Sequence, residues 1–301
     1  MKAVQFNEYG GPEVLKIVEI AEPHAGAGQV RIAVRAVGVN PAEWKIRAGL
    51  FGDFMPVTFP SGVGFEAAGI VDEVGEGVTG VSVGDAVFGF GTNTAAEYAV
   101  LTSWATKPDD MPFDVAGGLV VASETAIRCL DYVGAKAGDT VLVCGAAGGV
   151  GSALVQIARA RGITVIGTAS TPKHDYLSGL GAIPTTYEPG LASRVKDLAP
   201  QGVDAALDLA GAGIIPELVE ITGDPARVLS IVDFTAPEHG AQFSPTPQDH
   251  PERALAEAAR LYSKGALNLH VEKTFPLAQL ADAQALSAEG HVTGKLVISV
   301  G

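Results

Sequence analysis

A glycine-rich segment near the middle of the chain carries the clearest chemical signal. Residues 145–151 read Gly-Ala-Ala-Gly-Gly-Val-Gly; they follow an apolar run at 140–146 and open an Ala-rich segment at 152–162. Glycines in such a turn let the backbone approach a pyrophosphate, which the first amides of the following helix then face. Because a second strand follows within about 30 residues, a plain tight turn is the weaker interpretation. We predict a dinucleotide site formed by Ala147, Gly148, Gly149, Val150 and Gly151.

The residues after the next predicted strand indicate which dinucleotide is bound. A NAD site usually has Asp or Glu about 20 residues past the glycines, where the carboxylate binds the ribose 2′-hydroxyl. Residues 167–173 read Gly-Thr-Ala-Ser-Thr-Pro-Lys and contain no acid. Ser170 and Thr171 offer hydroxyl donors and Lys173 a cation, which suit a 2′-phosphate. A solvated Lys173 in a first helical turn is the alternative, but the missing acid still favours NADP(H) over NAD.

Metal-binding residue types are few and scattered. The chain has 2 Cys and 6 His, and no two His are spaced as i, i+4. Four clustered Cys, the usual ligands of a structural zinc, are therefore missing. Cys144 lies in the apolar run and Cys129 in a helix-like stretch without an obvious base beside it, so we expect two inert thiols. We expect no metal site.

Composition excludes several classes of protein. With 301 residues, of which 47% are hydrophobic, the chain forms two domains or one large one. A net charge of −14 without a basic block argues against nucleic acid as a partner. No apolar run reaches the roughly 18 residues of a membrane span, and the first residues do not read as a secretory signal. We expect a cytoplasmic protein that does not bind a membrane.

The pattern of apolar, glycine and proline residues changes near residue 117. Before it, short β-like runs alternate with Gly and Pro; residues 30–40 alternate polar and apolar, and 69–90 read as two or three strands with glycine turns. This pattern predicts a small, mostly antiparallel barrel. After it, apolar strands alternate with helices, which predicts a doubly wound parallel sheet. The predicted strands of this sheet are 140–146, 164–170, 182–187, 203–211 and 227–234.

The C-terminal part returns to mixed elements. A polar, Pro-rich connection at 241–251 leads to an amphipathic helix at 252–265. We predict a strand near 268–275, a helix at 277–289 and a last strand at 295–300. The final ~35 residues should therefore rejoin the N-terminal domain, so that the nucleotide domain is inserted late in a β-rich domain.

Several motifs in a fixed order make the chain similar to a known family. They are Met1-Lys2-Ala3-Val4, Gly38-Val39-Asn40-Pro41, the run Pro-Ser-Gly-Val-Gly-Phe-Glu-Ala-Ala-Gly at 60–69, Val74-Gly75, Val83-Gly84-Asp85-Ala86-Val87, the glycine turn and Gly294-Lys295-Leu296-Val297. The chain resembles the zinc-free quinone oxidoreductase (zeta-crystallin-like) branch of the medium-chain dehydrogenase/reductase superfamily. The resemblance implies an α/β protein with a GroES-like catalytic domain, 1–117 and 266–301, and a Rossmann NADP-binding domain, 118–265.

The resemblance also bears on the metal. Zinc members of the superfamily have Cys near position 40 and a Gly-His-Glu motif, whereas this chain has Asn40 and Gly64-Phe65-Glu66. Hydride exchange between an alcohol and a carbonyl normally needs a Lewis acid. A quinone, or an alkene conjugated to a carbonyl, accepts hydride with hydrogen-bond help alone. The protein would then hold the acceptor against the nicotinamide and exclude water.

By resemblance, Asn40 and Thr125 would face the nicotinamide and acceptor, with Lys45 where many relatives have Tyr. Asn40 would offer an amide donor to a developing oxyanion, or is a turn residue before a proline. Thr125 would bond near the ribose or carboxamide, or is an ordinary helix residue. Lys45 would donate to the acceptor or lie in solvent; this departure from Tyr weakens the case for a quinone. The resemblance adds further cofactor residues: Tyr187 at the phosphate end, Ser230, Ile231 and Val232 beside the nicotinamide, and Lys295.

The aromatic run at 50–56, together with Trp44, is either a wall of the acceptor pocket or part of the apolar core.

The sequence as a whole leaves three candidate functions. The first is NADPH-dependent, metal-free reduction of a quinone. The second is reduction of a C=C bond conjugated to a carbonyl, as in an enone or enoyl reductase. The third is a non-catalytic NADPH-binding sensor. The resemblance also implies a homodimer.

Overall fold

A computed structural model of the protein describes residues 1–52, 55–211, 213–247 and 249–301. Two compact units divide the chain. The barrel unit comprises Met1–Val121, Leu255–Ser263 and Leu269–Gly301, and the parallel-sheet unit comprises Ala122–Ala254 and Lys264–Asn268. None of the helices in these described stretches is both long and apolar enough to cross a bilayer.

Strands and helices are numbered along the chain. The strands are β1 Lys2–Phe6, β2 Lys16–Glu19, β3 Val30–Val39, β4 Ser61–Gly62, β5 Glu66–Val74, β6 Ala86–Gly91, β7 Tyr98–Thr106, β8 Thr140–Cys144, β9 Thr164–Thr168, β10 Ile183–Thr185, β11 Ala205–Asp208, β12 Val228–Ser230, β13 Gln242–Phe243, β14 Val271–Pro276 and β15 Lys295–Ser299. The helices are α1 Pro41–Arg47, α2 Phe113–Tyr132, α3 Gly149–Ala160, α4 His174–Leu180, α5 Leu191–Leu198, α6 Ile215–Thr222, α7 Glu252–Ser263 and α8 Leu280–Ala288.

Four antiparallel strands close the barrel. β3 pairs with β5, β5 with β6, β6 with β7, and β7 again with β3. β15 extends the sheet on the free side of β3 and pairs in parallel with β14, so these C-terminal strands belong to the barrel unit. Residues 69–90 contribute two strands. Inward residues at every second position, among them Val30, Ile32 and Val34 of β3, form the apolar core.

The second sheet has the strand order β10-β9-β8-β11-β12-β13, and all of its pairs are parallel. Counted in order along the chain, this is 3-2-1-4-5-6, the order of a dinucleotide-binding sheet. The central strands β8 and β11 are almost wholly buried, which is why their sequences are continuously apolar. The α/β fold class and the doubly wound sheet are confirmed.

Several elements are shorter than their patterns predicted, for local reasons. The strand expected at 203–211 ends at Asp208, because its Oδ1 accepts hydrogen bonds from the amides of Ala210 and Gly211 and turns the chain. The helical stretch that follows β9 and the helix expected at 277–289 each begin with a 3-10 turn. In the first of them Pro172 lies at the start of the turn, where its missing N–H costs no bond.

Gly75, at the end of β5, shows where the barrel depends on a missing side chain. Its N–H donates to the Gln29 carbonyl at 2.9 Å, which ties the end of β5 to the residue before β3. A Cβ at this position would overlap the carbonyl oxygen of Gly26 and lie 2.8 Å from that of Gln29. Because the obstacles are backbone atoms, they can move aside only by opening the turn.

We expect Gly75→Ala to lower the free energy of unfolding by about 2 kcal/mol or more, since it overpacks backbone against backbone. Gly179→Ala is the matched control. Gly179 lies in α4, and its added Cβ would meet nothing within 4 Å. We expect that change to stabilise by roughly 0.5–1 kcal/mol through helix propensity. Urea denaturation of both variants measures the difference, and equal effects would contradict the packing argument.

Candidate functional site

The glycine turn lies between β8 and α3 in the parallel-sheet unit. Gly145 has φ +83°, which favours glycine, and its N–H donates to Thr168 Oγ1 of the neighbouring strand at 3.2 Å. Gly148 is the N-cap residue of α3 and carries no capping side chain. The first-turn amides of a helix have no partner within the helix, so those at Gly149, Val150 and Gly151 offer donors and a positive dipole end to an anion.

Two glycines of the turn serve different purposes. A Cβ on Gly151 would overlap the Gly145 carbonyl oxygen and lie 2.6 Å from the Ala146 Cα, so this glycine lets α3 pack against the turn. Among the described residues, a Cβ on Gly148 would meet only Gly145 O, at an ordinary 3.6 Å. The protein itself therefore does not need glycine at 148. An open surface of this kind, over a helix N-terminus, fits the close approach of a pyrophosphate, and the residues present fit a dinucleotide.

The polar residues proposed for the 2′-phosphate follow β9 and β10, whose carboxyl ends share an edge with that of β8. Ser170 precedes the 3-10 turn Thr171–Lys173, and Lys173 is half-buried at the start of α4. Tyr187 follows β10 and is 60% exposed. Parallel strands end at one edge, so the fold brings these groups to the side of the sheet where the glycine turn lies.

Arg194 of α5 fastens the loop that carries Tyr187. Its guanidinium donates to the carbonyl oxygens of Thr186, Glu188 and Pro189. Sequence reasoning missed this residue, because the bonds run to backbone atoms and leave no side-chain pattern. A basic residue one turn into the helix that follows Tyr187 is the only available signal.

Ser230, at the carboxyl end of β12, is buried and bonded. Its hydroxyl donates to Asp208 Oδ2 at 2.8 Å and accepts from the amides of Val232 and Asp233. These bonds fix the backbone of residues 230–232 at the same edge of the sheet. The Ser230 hydroxyl itself is used in these internal hydrogen bonds, so only the backbone is offered to a cofactor. Ile231 and Val232 are half-buried there.

Thr125 is buried on α2 within a charged cluster. Its Oγ1 lies 3.4 Å from Glu124 Oε2, to which it donates, and 3.4 Å from an Arg128 nitrogen, from which it accepts. Arg128 also pairs with Glu124 at 3.0 Å and donates to Ser244 Oγ at 2.6 Å. The proposed contact between Thr125 and cofactor stays a prediction.

A second group of polar residues lies buried in the barrel unit, and we name it the polar cluster: Asn40, Glu43, Glu66 and Lys295. Asn40 follows β3 as the N-cap of α1, Glu43 lies in the first turn of α1, Glu66 begins β5 and Lys295 begins β15. Lys295 Nζ lies 2.5 Å from Asn40 Oδ1 and 2.9 Å from Glu66 Oε1. The structure thus joins Asn40 and Lys295, two predicted site residues that are far apart in sequence.

The orientation of the Asn40 amide follows from its neighbours. An ammonium has only donors, so Lys295 must face the amide oxygen. Both amide hydrogens then point the other way, where Nδ2 donates to Glu66 Oε1 at 2.8 Å and to Glu43 Oε1 at 3.1 Å. The role of Asn40 as donor to an oxyanion stays a prediction, and in this arrangement its hydrogens are engaged inside the protein.

Glu43 is 4% exposed, and burial raises the pKa of its carboxyl from 4.5 to about 8. Desolvation is the largest cause, and the nearby charge of Glu66 also raises the pKa. The Asn40 hydrogen bond and the Lys295 ammonium oppose these effects without cancelling them. Below about pH 8 the carboxyl is therefore predominantly neutral.

Lys45 lies on α1, half-buried, with its ammonium 5.6 Å from the centre of the Trp44 ring. Its contact with an acceptor stays a prediction. The aromatic run at 50–56 includes Asp53 and Phe54, which lie outside the described residues; Leu50 in the same run is exposed.

Both thiols are buried and unpaired. Burial raises the pKa of Cys129 and of Cys144 to about 12 in each case, so neither is a thiolate near neutral pH. Within the described ranges, no three His, Cys, Asp or Glu side chains gather as a metal site would require.

Comparison with known proteins places this geometry in a family. Residues 26–171 match the family model described as alcohol dehydrogenase GroES-like domain, and residues 182–298 match the one described as zinc-binding dehydrogenase. The human quinone oxidoreductase is 30% identical over 99% of this chain and 97% of its own length. The rat quinone oxidoreductase is 37% identical over 69% of this chain and 66% of its own.

A solved mycobacterial structure, determined in complex with NADPH, is similar throughout. It is 28% identical, has a TM-score of 0.87 and aligns over 100% of both chains. A closed barrel joined to a 3-2-1-4-5-6 parallel sheet is the architecture of medium-chain dehydrogenases and reductases. This chain belongs to the zinc-free, quinone oxidoreductase-like branch of that family.

Glu43 is the site residue that sequence reasoning missed most clearly. The available signal was its position three residues after Asn40 on a helix that begins with proline, which brings the two side chains together. Its burial was not predictable from that spacing, because it depends on elements distant in sequence, such as α8, which packs against α1.

We expect Glu43→Gln to change how stability depends on pH. The pKa of Glu43 is raised in the folded protein, so folding takes up a proton between about pH 4.5 and 8. The stabilisation that comes from this proton is complete below about pH 4.5 and is lost as the pH rises to about 8. Relative to E43Q, the wild type should lose free energy of unfolding between about pH 5 and pH 8.5. Urea denaturation measures this. The exposed Glu76→Gln is the control, and a constant difference for E43Q would refute the titration.

Proposed function

We propose that the protein is an NADPH-dependent oxidoreductase that transfers hydride to a quinone without a metal. The observation that carries the proposal is the open surface at Gly148 over the N-terminus of α3, since glycine there serves a ligand rather than the fold. The fold, the mycobacterial relative solved with NADPH and the relatives named quinone oxidoreductases support it. The same relatives favour a quinone over an enone acceptor.

The chain's own residues bind and orient. Backbone amides of Ala147, Gly148, Gly149, Val150 and Gly151 would hold the pyrophosphate, and Ser170, Thr171, Lys173 and Tyr187 the 2′-phosphate. The backbone of Ser230, Ile231 and Val232, with Thr125, would line the nicotinamide end. Asn40 and Lys45 would belong to the acceptor side, and Lys295 would be a further cofactor residue. When bound, NADPH supplies the hydride.

The proposal extends to the domains and the assembly. Catalysis would fall to residues 1–117 and 266–301 and cofactor binding to 118–265. β13 forms one edge of the parallel sheet, and a second copy of the chain pairing there would give a homodimer. Two unpaired, buried thiols suit a reducing compartment, and we propose the cytoplasm.

NADPH oxidation tests the function directly. We expect turnover with a benzoquinone or naphthoquinone, slower turnover with an α,β-unsaturated ketone, and weaker activity with NADH. A chelator should leave the rate unchanged, because no described side chain is arranged to hold a metal. Turnover of the enone alone would move the protein to C=C reduction. NADPH binding without oxidation of either acceptor would identify a sensor.

Lys173→Ala tests the choice of dinucleotide. A charge-assisted contact to the 2′-phosphate is lost in the variant, so we expect the Kd for NADPH to rise about tenfold while that for NADH stays unchanged. Lys196→Ala, which removes an exposed cation from α5 of the same unit, is the matched control. Fluorescence titration with both nucleotides gives the ratio, and an unaltered NADPH affinity in the Lys173 variant would contradict the assignment.

A further inference from the structure

The polar cluster has one hydrogen-bonding atom without a partner. Lys295 has three donors, and they meet Asn40 Oδ1, Glu66 Oε1 and the Val39 carbonyl oxygen at 2.5, 2.9 and 3.3 Å. Asn40 has two donors, and they meet Glu43 Oε1 and Glu66 Oε1. Every N–H of these two side chains is therefore used inside the protein.

The two carboxyl groups differ in this respect. Glu66 Oε1 accepts from Asn40 and Lys295, and its Oε2 accepts from the Val121 amide at 2.7 Å. Glu43 Oε1 accepts from Asn40, but Glu43 Oε2 is buried and has no hydrogen-bond partner among the described residues. A buried polar atom in this state is uncommon in folded proteins, and a catalytic role is one of its recognised causes.

The charges of Lys295 and Glu66 affect whether the Glu43 carboxyl is protonated. The ammonium of Lys295 on β15 balances the carboxylate of Glu66 on β5, so a second carboxylate at Glu43 would be buried uncompensated. These are the charged groups that act on Glu43: desolvation, the largest cause, and the charge of Glu66 raise its pKa to about 8, while Lys295 and the Asn40 hydrogen bond lower it without cancelling the rise. At neutral pH, Glu43 therefore carries a proton. Oε1 already accepts a hydrogen bond from Asn40, so the proton is expected on Oε2, which accepts none.

We propose that Glu43 is the acid that protonates the reduced acceptor. The inference rests on the proposed function, in which Asn40, hydrogen-bonded to Glu43, belongs to the acceptor side. Addition of the hydride to a quinone leaves a hydroquinone monoanion. The O–H bond of Glu43 then breaks, and a new O–H bond forms on the anionic oxygen of the hydroquinone. The Glu43 carboxylate recovers its proton from solvent water.

Two other residues were candidates for this proton. Asn40 has no free hydrogen unless it gives up Glu43 or Glu66. Lys45 is half-buried with its ammonium over the Trp44 ring, and it is an alternative that the experiment must separate. Glu43 differs from both because its proton is buried and unbonded at the same time.

Glu43→Gln is the decisive variant because it keeps the shape and the oxygen that accepts from Asn40 but has no acidic proton. Substituted benzoquinones provide the probe. The hydroquinone anion of a chlorinated quinone is weakly basic and needs little help from an acid, whereas that of a methylated quinone is strongly basic. We expect E43Q to lose about 100-fold in kcat/KM on the methylated quinone and less than about threefold on the chlorinated one.

The controls separate the possible causes. Glu76→Gln should leave kcat/KM on both quinones unchanged, and Lys45→Met should lower kcat/KM by equal factors on both. An equal loss on both quinones in E43Q would assign Glu43 a purely structural role and overturn the inference, as would a selective loss in Lys45→Met. Absence of quinone turnover in the wild type would overturn the proposed function itself, whatever E43Q does.

An infrared measurement tests the proton without turnover. A protonated buried carboxyl gives its own C=O stretching band, and we expect the wild type near pH 7 to show one that is absent in E43Q and present in Glu76→Gln. The band should disappear as pH rises through about 8. In parallel, kcat/KM of the wild type on the methylated quinone should fall over the same range, and that of E43Q should not. A wild-type spectrum without that band would overturn the inference.

Discussion

The buried ammonium of Lys295 is the constraint around which the barrel unit is arranged. Removing an ammonium from water costs several kcal/mol unless partners surround it. Lys295 lies on β15, and its partners come from the end of β3 and the start of β5, so three strands must meet in one register before the charge is satisfied. A C-terminal strand, more than 250 residues from its partner in sequence, thereby completes the site that the N-terminal strands begin.

Satisfying that charge consumes most of the polar capacity nearby. Asn40 is held by its oxygen and both hydrogens, and Glu66 by both oxygens, which makes the cluster rigid in a single orientation. Rigid, fully bonded groups suit a site that must hold an acceptor at a fixed distance. Among the described partners of the cluster, Glu43 alone retains an unbonded atom, and its neutral form follows chiefly from desolvation.

Local signals allowed most of the nucleotide domain to be predicted. Its strands are continuously apolar because they are buried on both faces, and the glycine turn is a contiguous segment. Element limits were less certain: the shortening of β11 depends on Asp208 turning onto its own backbone neighbours. Arg194 and Glu43 were missed because their roles depend on backbone carbonyls and on strands distant in sequence. Lys295 was predicted only from the family resemblance, because the residues around it in the sequence do not indicate which side chains it contacts.

The same cluster explains in physical terms how this branch of the family can differ from its zinc-bearing relatives. The two motifs in which those relatives carry Cys and His supply Asn40 and Glu66 here, and the structure places one internal cation between these two side chains. With Lys295 present, the carboxylate of Glu66 is already balanced and the oxygen of Asn40 already bound. A divalent ion at this point would have to displace the ammonium and would meet the Asn40 amide in place of the thiolate that zinc prefers. The positive charge is therefore part of the polypeptide, and it shapes the site through hydrogen bonds.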